Sequence, residues 1–130
     1  MSAAETEQYR EGIRLFNEEE FFECHDVLEE LWAETDGPEK KFIQGLIQAA
    51  ISLFHFGNEN FGGAKILYIT ARKLLDRHPP EARGIALGDF LVDYELCFRE
   101  LLANTEAYPT TVAIQDELVP KIRWLDTSSE

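Results

Sequence analysis

The stretch FFECHDVLEELW, residues 21–32, decides the fold. Its apolar side chains Phe21, Cys24, Leu28 and Leu31 recur at spacings of three and four, which an α-helix gathers onto one face. On a wheel of about 100° per residue with Cys24 at zero, His25 and Glu29 fall at about 100° and 140°, beside that apolar stripe. The acids Glu23, Asp26, Glu30 and Glu34 lie between about 200° and 280°, on the solvated side. Glu29 is thus the carboxylate that departs from the solvated face. With Trp32 three residues on, the helix carries a His-Glu-aromatic line.

The same period extends outward in both directions and predicts an all-α protein of about five helices. Helix one is expected from about Thr6 to Glu18, with Tyr9, Ile13 and Phe16 inward. Helix two runs from Phe21 to the stop at Asp36-Gly37-Pro38. Helix three spans about Glu39 to Gly57. Helix four, from about Phe61 to Arg77, turns Ala64, Leu67, Tyr68, Ala71, Leu74 and Leu75 inward and ends at His78-Pro79-Pro80. After the looser stretch EARGIALG, helix five spans about Asp89 to Ala103 with Phe90, Tyr94, Cys97 and Leu101 on one side. From Tyr108 and Pro109 onward, prolines and β-branched residues predict an extended tail anchored by Ile122 and Trp124. Phe21, Phe22, Phe54, Phe56 and Phe61 read as core and helix-turn packing.

A faint internal repeat pairs Ile13 with Ile51, Leu15 with Leu53, Phe16 with Phe54 and, one turn residue later, Phe22 with Phe61 and Leu28 with Leu67. Two helical hairpins of about 38 residues would produce it, a pattern similar to tetratricopeptide hairpins, whose period is 34. Such solenoids need at least about three repeats. The expected architecture is therefore a compact antiparallel bundle of two hairpins plus a capping helix, one domain over residues 1–130.

Composition narrows the functions. The net charge is −13, and thirteen acids against two bases, Arg10 and Arg14, precede Lys40. Such a surface repels phosphate backbones, so no nucleic-acid partner is expected; Lys65, Arg72, Lys73 and Arg77 share one helix and balance the acidic first third. The uncharged run FIQGLIQAAISLFHF, residues 42–56, is shorter than the roughly 20 residues a bilayer requires, so no membrane span is expected. Cys24 and Cys97 are too few and too distant for a disulfide framework or a four-cysteine zinc site. With no basic start and apolar run at the N-terminus, a reducing cytoplasm is the expected setting.

Helix three carries the complementary anomaly. Gln44, Gln48 and His55 form one narrow polar line, about 160° to 200° from Leu46, on a helix where nearly every other position is apolar or glycine. Buried amides and imidazoles cost roughly 1–3 kcal/mol each unless paired. The simplest partners for that line are His25 and Glu29.

These residues sit within phrases that resemble a family, the domain of unknown function numbered 309. Its signature is a His, three residues, a Glu, two residues and an aromatic, found here in LFNEEEFFECHDVLEELW (residues 15–32), followed by GPEKKFIQGLIQAA (37–50) and ENFGGA (59–64). The resemblance covers about residues 9–77; helix five and the tail, 84–130, depart from it. It implies a compact helical bundle with His25, Glu29 and Trp32 as the motif positions, and a motif suspected of binding metal. It implies no reaction.

Several uses of the polar stripe follow. His25 and Glu29, four apart, reach one divalent cation, with His55 as the candidate third ligand and Gln44 and Gln48 acceptable to harder cations. Without metal, His25 and Glu29 would act as base and orienting acid, or hydrogen-bond a small molecule in a pocket completed by Trp32, Gln44, Gln48 and His55. Structurally, the stripe would only set helix register, and the protein would be a tetratricopeptide-like module that meets a protein partner through its outer surface. Whether the protein is an enzyme stays open, as does its oligomeric state.

Overall fold

In the computed structural model, residues 2–105 and 112–125 are described. Five helices follow one another: α1 Ala3–Asn17, α2 Phe21–Ala33, α3 Gly37–Gly57, α4 Phe61–Leu75 and α5 Leu87–Ala103, with short 3₁₀ turns at Ala82–Gly84 and Asp116–Leu118. No named strand occurs among the described residues, and the fold is an all-α bundle. None of the described helices is long and apolar enough to cross a membrane.

Helix boundaries moved where cap chemistry outweighs periodicity. α1 starts at Ala3 rather than Thr6 because Ser2 and Glu5 form a reciprocal capping box: the Glu5 amide donates to Ser2 Oγ at 3.1 Å and the Ser2 amide to Glu5 Oε1 at 2.8 Å. α3 starts at Gly37, whose φ of +70° suits glycine, with Pro38 in its first turn. α4 stops at Leu75, short of Arg77.

α2 packs against both α1 and α3, and α3 against α4. The two tight turns, α1–α2 and α3–α4, are the same structure 40 residues apart: Glu19 and Glu59 both take φ near +60°. Backbone bonds from Glu18, Glu19 and Glu20 to Arg14, Phe16 and Leu15 are reproduced from Asn58, Glu59 and Asn60 to Phe54, Phe56 and His55. Burial follows the same offset, Tyr9, Gly12, Ile13, Phe16, Phe21, Cys24, Leu28 and Leu31 answering to Ala49, Ser52, Leu53, Phe56, Phe61, Ala64, Tyr68 and Ala71. The repeat is therefore real, but its register is corrected: Phe16 answers to Phe56, not Phe54, and Phe21, not Phe22, to Phe61. Matching identical letters misled here, whereas the packing repeats by position.

α5 caps the two hairpins with aromatic rings. Phe90 meets Phe16 of α1 at 5.5 Å, Phe98 meets Phe56 of α3 at 5.0 Å, and Tyr94 and Phe98 meet Tyr68 of α4 at 4.6 and 4.7 Å. Tyr94 is fully buried and shares a 2.6 Å hydrogen bond with Ser52, whose hydroxyl also approaches the Ala49 carbonyl at 2.7 Å. Burying each phenylalanine contributes roughly 1.5–3 kcal/mol, so this spine binds α5 firmly. Of the expected core phenylalanines, Phe22 is the exception. It is exposed and stands edge-on to Phe54 at 5.7 Å, on the outside of the α2–α3 pair.

The tail returns over α1. Asn17 brackets Ile122, its Nδ2 donating to the Ile122 carbonyl at 2.8 Å and its Oδ1 accepting from the Ile122 amide at 2.7 Å. Ile122 is buried, as expected, but Trp124 is not; it bridges Ile85 through its backbone and leaves its indole exposed. Tyr108, Pro109 and Asp126 lie outside the described residues.

Candidate functional site

A cleft of about 290 Å³ opens along α3. Gln44, Ile47, Gln48 and Ile51 of α3 form its floor; His25, Glu29 and Trp32 of α2 form one wall, and Leu67 of α4 stands opposite. Helical spacing explains the assembly. Residues 25, 29 and 32 descend one face of α2, and 44, 47, 48 and 51 one face of α3, so two such lines on packed helices face a common trough.

Several of these residues hold a buried polar atom short of a partner. Among the described residues, four buried side-chain nitrogen or oxygen atoms lack a hydrogen bond, and three belong to this cleft: His25 Nδ1, Trp32 Nε1 and Gln48 Oε1. Asp26 Oδ1 lies 3.3 Å from His25 Nδ1, yet the pair is not aligned as a hydrogen bond. The other imidazole nitrogen, Nε2, lies 3.3 Å from Glu29 Oε2. Lys40 Nζ rests 4.1 Å from the centre of the Trp32 ring, a cation–π contact that pins the indole while its N–H stays unused.

The structure brings His25, Glu29, Trp32, Gln44 and Gln48 to one cleft. It does not bring His55 there. That residue sits one turn beyond Ile51, where its Nδ1 lies 3.3 Å from the Asn60 side-chain nitrogen in the α3–α4 turn. The histidine expected as third ligand therefore stands apart from His25 and Glu29. The carboxylate that does approach is Asp26, which the helical wheel assigned to solvent; ligand atoms of His25, Asp26 and Glu29 all lie within 4.8 Å of one another. Adjacent residues diverge by about 100° on a wheel, but a flexible imidazole can swing back toward its neighbour.

Glu29 is also more open than its wheel position implied, with 56% of its side chain exposed against 24% for His25. It stands at the mouth rather than the floor. Sequence reasoning missed Ile47, Ile51 and Leu67 because nothing separates an apolar residue lining a cleft from one lining a core. Cys24, next to His25, is no nucleophile: burial pushes its thiol up to about 12, and that of Cys97 likewise.

The cleft gathers Trp32, Gln44, Gln48 and an imidazole near two carboxylates with the apolar side chains of Ile47, Ile51 and Leu67. The family model described as "Domain of unknown function (DUF309)" matches residues 9–67, which include every polar residue of the cleft. The chain is 31% identical over 103 residues to "Uncharacterized protein YpuF" of Bacillus subtilis strain 168, covering 78% of this chain and 56% of that one. It is 37% identical over 90 residues to an "Uncharacterized protein" of Aquifex aeolicus strain VF5, covering 65% of this chain and 26% of that one. The chain thus spans about half the length of the first relative and a quarter of the second. No solved structure matches it significantly.

Proposed function

Because residues 9–67 match the DUF309 family, whose description names no activity, we infer the role of this chain from the cleft: it binds a small organic molecule with a polar head and an apolar body. One observation supports the reading: three residues that line a single cleft, His25, Trp32 and Gln48, each hold a buried polar side-chain atom without a hydrogen-bond partner. Each such atom costs roughly 1–3 kcal/mol, a penalty that folded proteins normally avoid unless a ligand or ordered water supplies the missing bond. With a small turn of each side chain on binding, the Trp32 indole would donate to the head group and the Gln48 carbonyl accept from it, and Ile47, Ile51 and Leu67 would hold the body. His25, held near Glu29, is the candidate proton acceptor should the bound molecule react.

A divalent cation is the second reading, favoured by the His25–Asp26–Glu29 trio. Its three ligands would leave open positions for water or substrate, with Gln44 or Gln48 as outer partners. The interaction-module alternative draws on Ile66 and Ile69, exposed on the outer side of α4. A cytoplasmic setting is supported by two free, buried cysteines, and the acidic surface argues against a nucleic-acid partner.

Thermal-shift screening of a small-molecule panel, with elemental analysis of the purified protein and divalent cations added separately, tests these readings. A hit that Trp32→Phe weakens about fivefold or more, one lost hydrogen bond, while the fold is unchanged, supports the organic ligand. Metal retained by the wild type and lost in His25→Ala would replace it with the cation. If no compound or ion shifts the melting point and the variants alter stability alone, the binding role fails.

A further inference from the structure

We propose a second ligand site, separate from the cleft, for a small planar anion such as an aromatic carboxylate or aryl phosphate. Two adjoining depressions of about 390 and 490 Å³ share Arg10 and Trp124; Thr6, Tyr9 and Arg83 complete one, Gly84 and Leu125 the other. None of these residues lines the α2–α3 cleft.

The charges are what single it out. In a chain of net charge −13, only Arg10 and Arg14 precede Lys40. Arg14 is neutralised by Glu11 at 2.6 Å and Glu18 at 2.7 Å, whereas Arg10 makes no ion pair among the described residues. Across the depression, Arg83 engages Glu39 at 2.9 Å through Nη2, but its Nε is buried without an acceptor. Guanidinium groups bind carboxylate and phosphate oxygens through several N–H donors at once, so an anion here would neutralise Arg10, with Arg83, already held by Glu39, across the depression.

The backbone is held in an uncommon shape to present these groups. Arg83 has φ of 56°, a left-handed conformation few arginines adopt, and Gly84 follows at 80°. Tyr9 holds the segment by donating to the Arg83 carbonyl at 3.1 Å, and the tail holds it through Leu125 N to Gly84 O at 2.9 Å and Ala86 N to Arg123 O at 2.8 Å. Trp124, 46% exposed, meets Tyr9 edge-on at 5.6 Å and so keeps indole surface free for a planar ring. A surface ion pair alone would not need the strained backbone.

The test uses the intrinsic fluorescence of Trp124 in Trp32→Phe, which leaves one of the two tryptophans. Phenyl phosphate and benzoate should quench it saturably. Inorganic phosphate should bind at least about tenfold more weakly, since it cannot stack, and benzyl alcohol should not bind at all. Arg10→Gln should weaken phenyl phosphate at least about tenfold, while His25→Ala should leave binding unchanged, which separates this site from the cleft. Calorimetry on the wild type and Arg10→Gln replaces fluorescence if Trp32→Phe does not fold. No saturable binding, equal binding of benzyl alcohol, equal binding of inorganic phosphate or indifference to Arg10→Gln would each overturn the proposal.

Discussion

Replacing Gln48 by leucine should stabilise the ligand-free protein. The side chains have similar size, and Gln48 Oε1 is buried without a donor. Relief of an unsatisfied acceptor is worth roughly 1–3 kcal/mol. The residue is only half-buried, so the lower end applies, about 1 kcal/mol. For a domain of this size that is a rise of about 4 °C in melting temperature, or about 0.5–1 M in the urea midpoint. Equilibrium urea unfolding followed by far-UV circular dichroism, on protein unfolded and refolded to strip any ligand, measures it. Gln44→Leu serves as control; no atom of Gln44 is buried and unpartnered, so its change should stay within about 0.5 kcal/mol. The stabilised variant should bind the cleft ligand less well, the usual exchange of function for stability. If Gln48→Leu is instead less stable by 1 kcal/mol or more, the amide has an internal partner and sets helix register, and the ligand argument loses its main support.

Gly12→Ala would place a methyl carbon 2.4 Å from Leu28 Cδ2 and 2.8 Å from its Cγ, against a leucine that is fully buried. Overpacking costs about 1–3 kcal/mol and the helix-propensity gain returns up to about 1, so a net loss of about 1–2 kcal/mol is expected in the same assay. A double-mutant cycle with Leu28→Ala should show favourable coupling, and strict additivity would refute the clash. His78 supplies the pH test. Burial first, then the Arg83 and Arg77 charges, hold its pKa below the ordinary 6.5. The unfolded chain therefore binds the proton more readily, and stability should fall as pH drops through about 6.5. His78→Gln should flatten that part of the stability profile; an unchanged slope would sink the assignment.

Much of the fold was legible because each helix writes its inner face locally. Tyr9, Ile13 and Phe16, and again Phe90, Tyr94, Cys97 and Leu101, are buried as their spacing required. The site was legible in outline for the same reason. His25, Glu29 and Trp32 share one face, Gln44 and Gln48 another, and packed neighbours bring them to one cleft. His55 lies on the same line of α3 but pairs with Asn60 at the next turn. Trp124, expected with Ile122 to anchor the tail, does so by a backbone bridge to Ile85 and an edge contact with Tyr9 rather than by burial, while Ile122 is buried and bracketed by Asn17.

The amino-acid order by itself determined which segments are helical and which way each helix faces, because rotation about a helix axis follows from residue spacing alone. Only the tertiary structure decided the height at which one helix meets its neighbour. That height sets the 40-residue register of the repeat, leaves three residues of the cleft each with a buried polar atom lacking a partner, and joins Arg10, Arg83 and Trp124 around one depression. No spacing rule links residues so far apart in the chain; they meet because the aromatic side of α5 and the bracket on Ile122 close the bundle at one place.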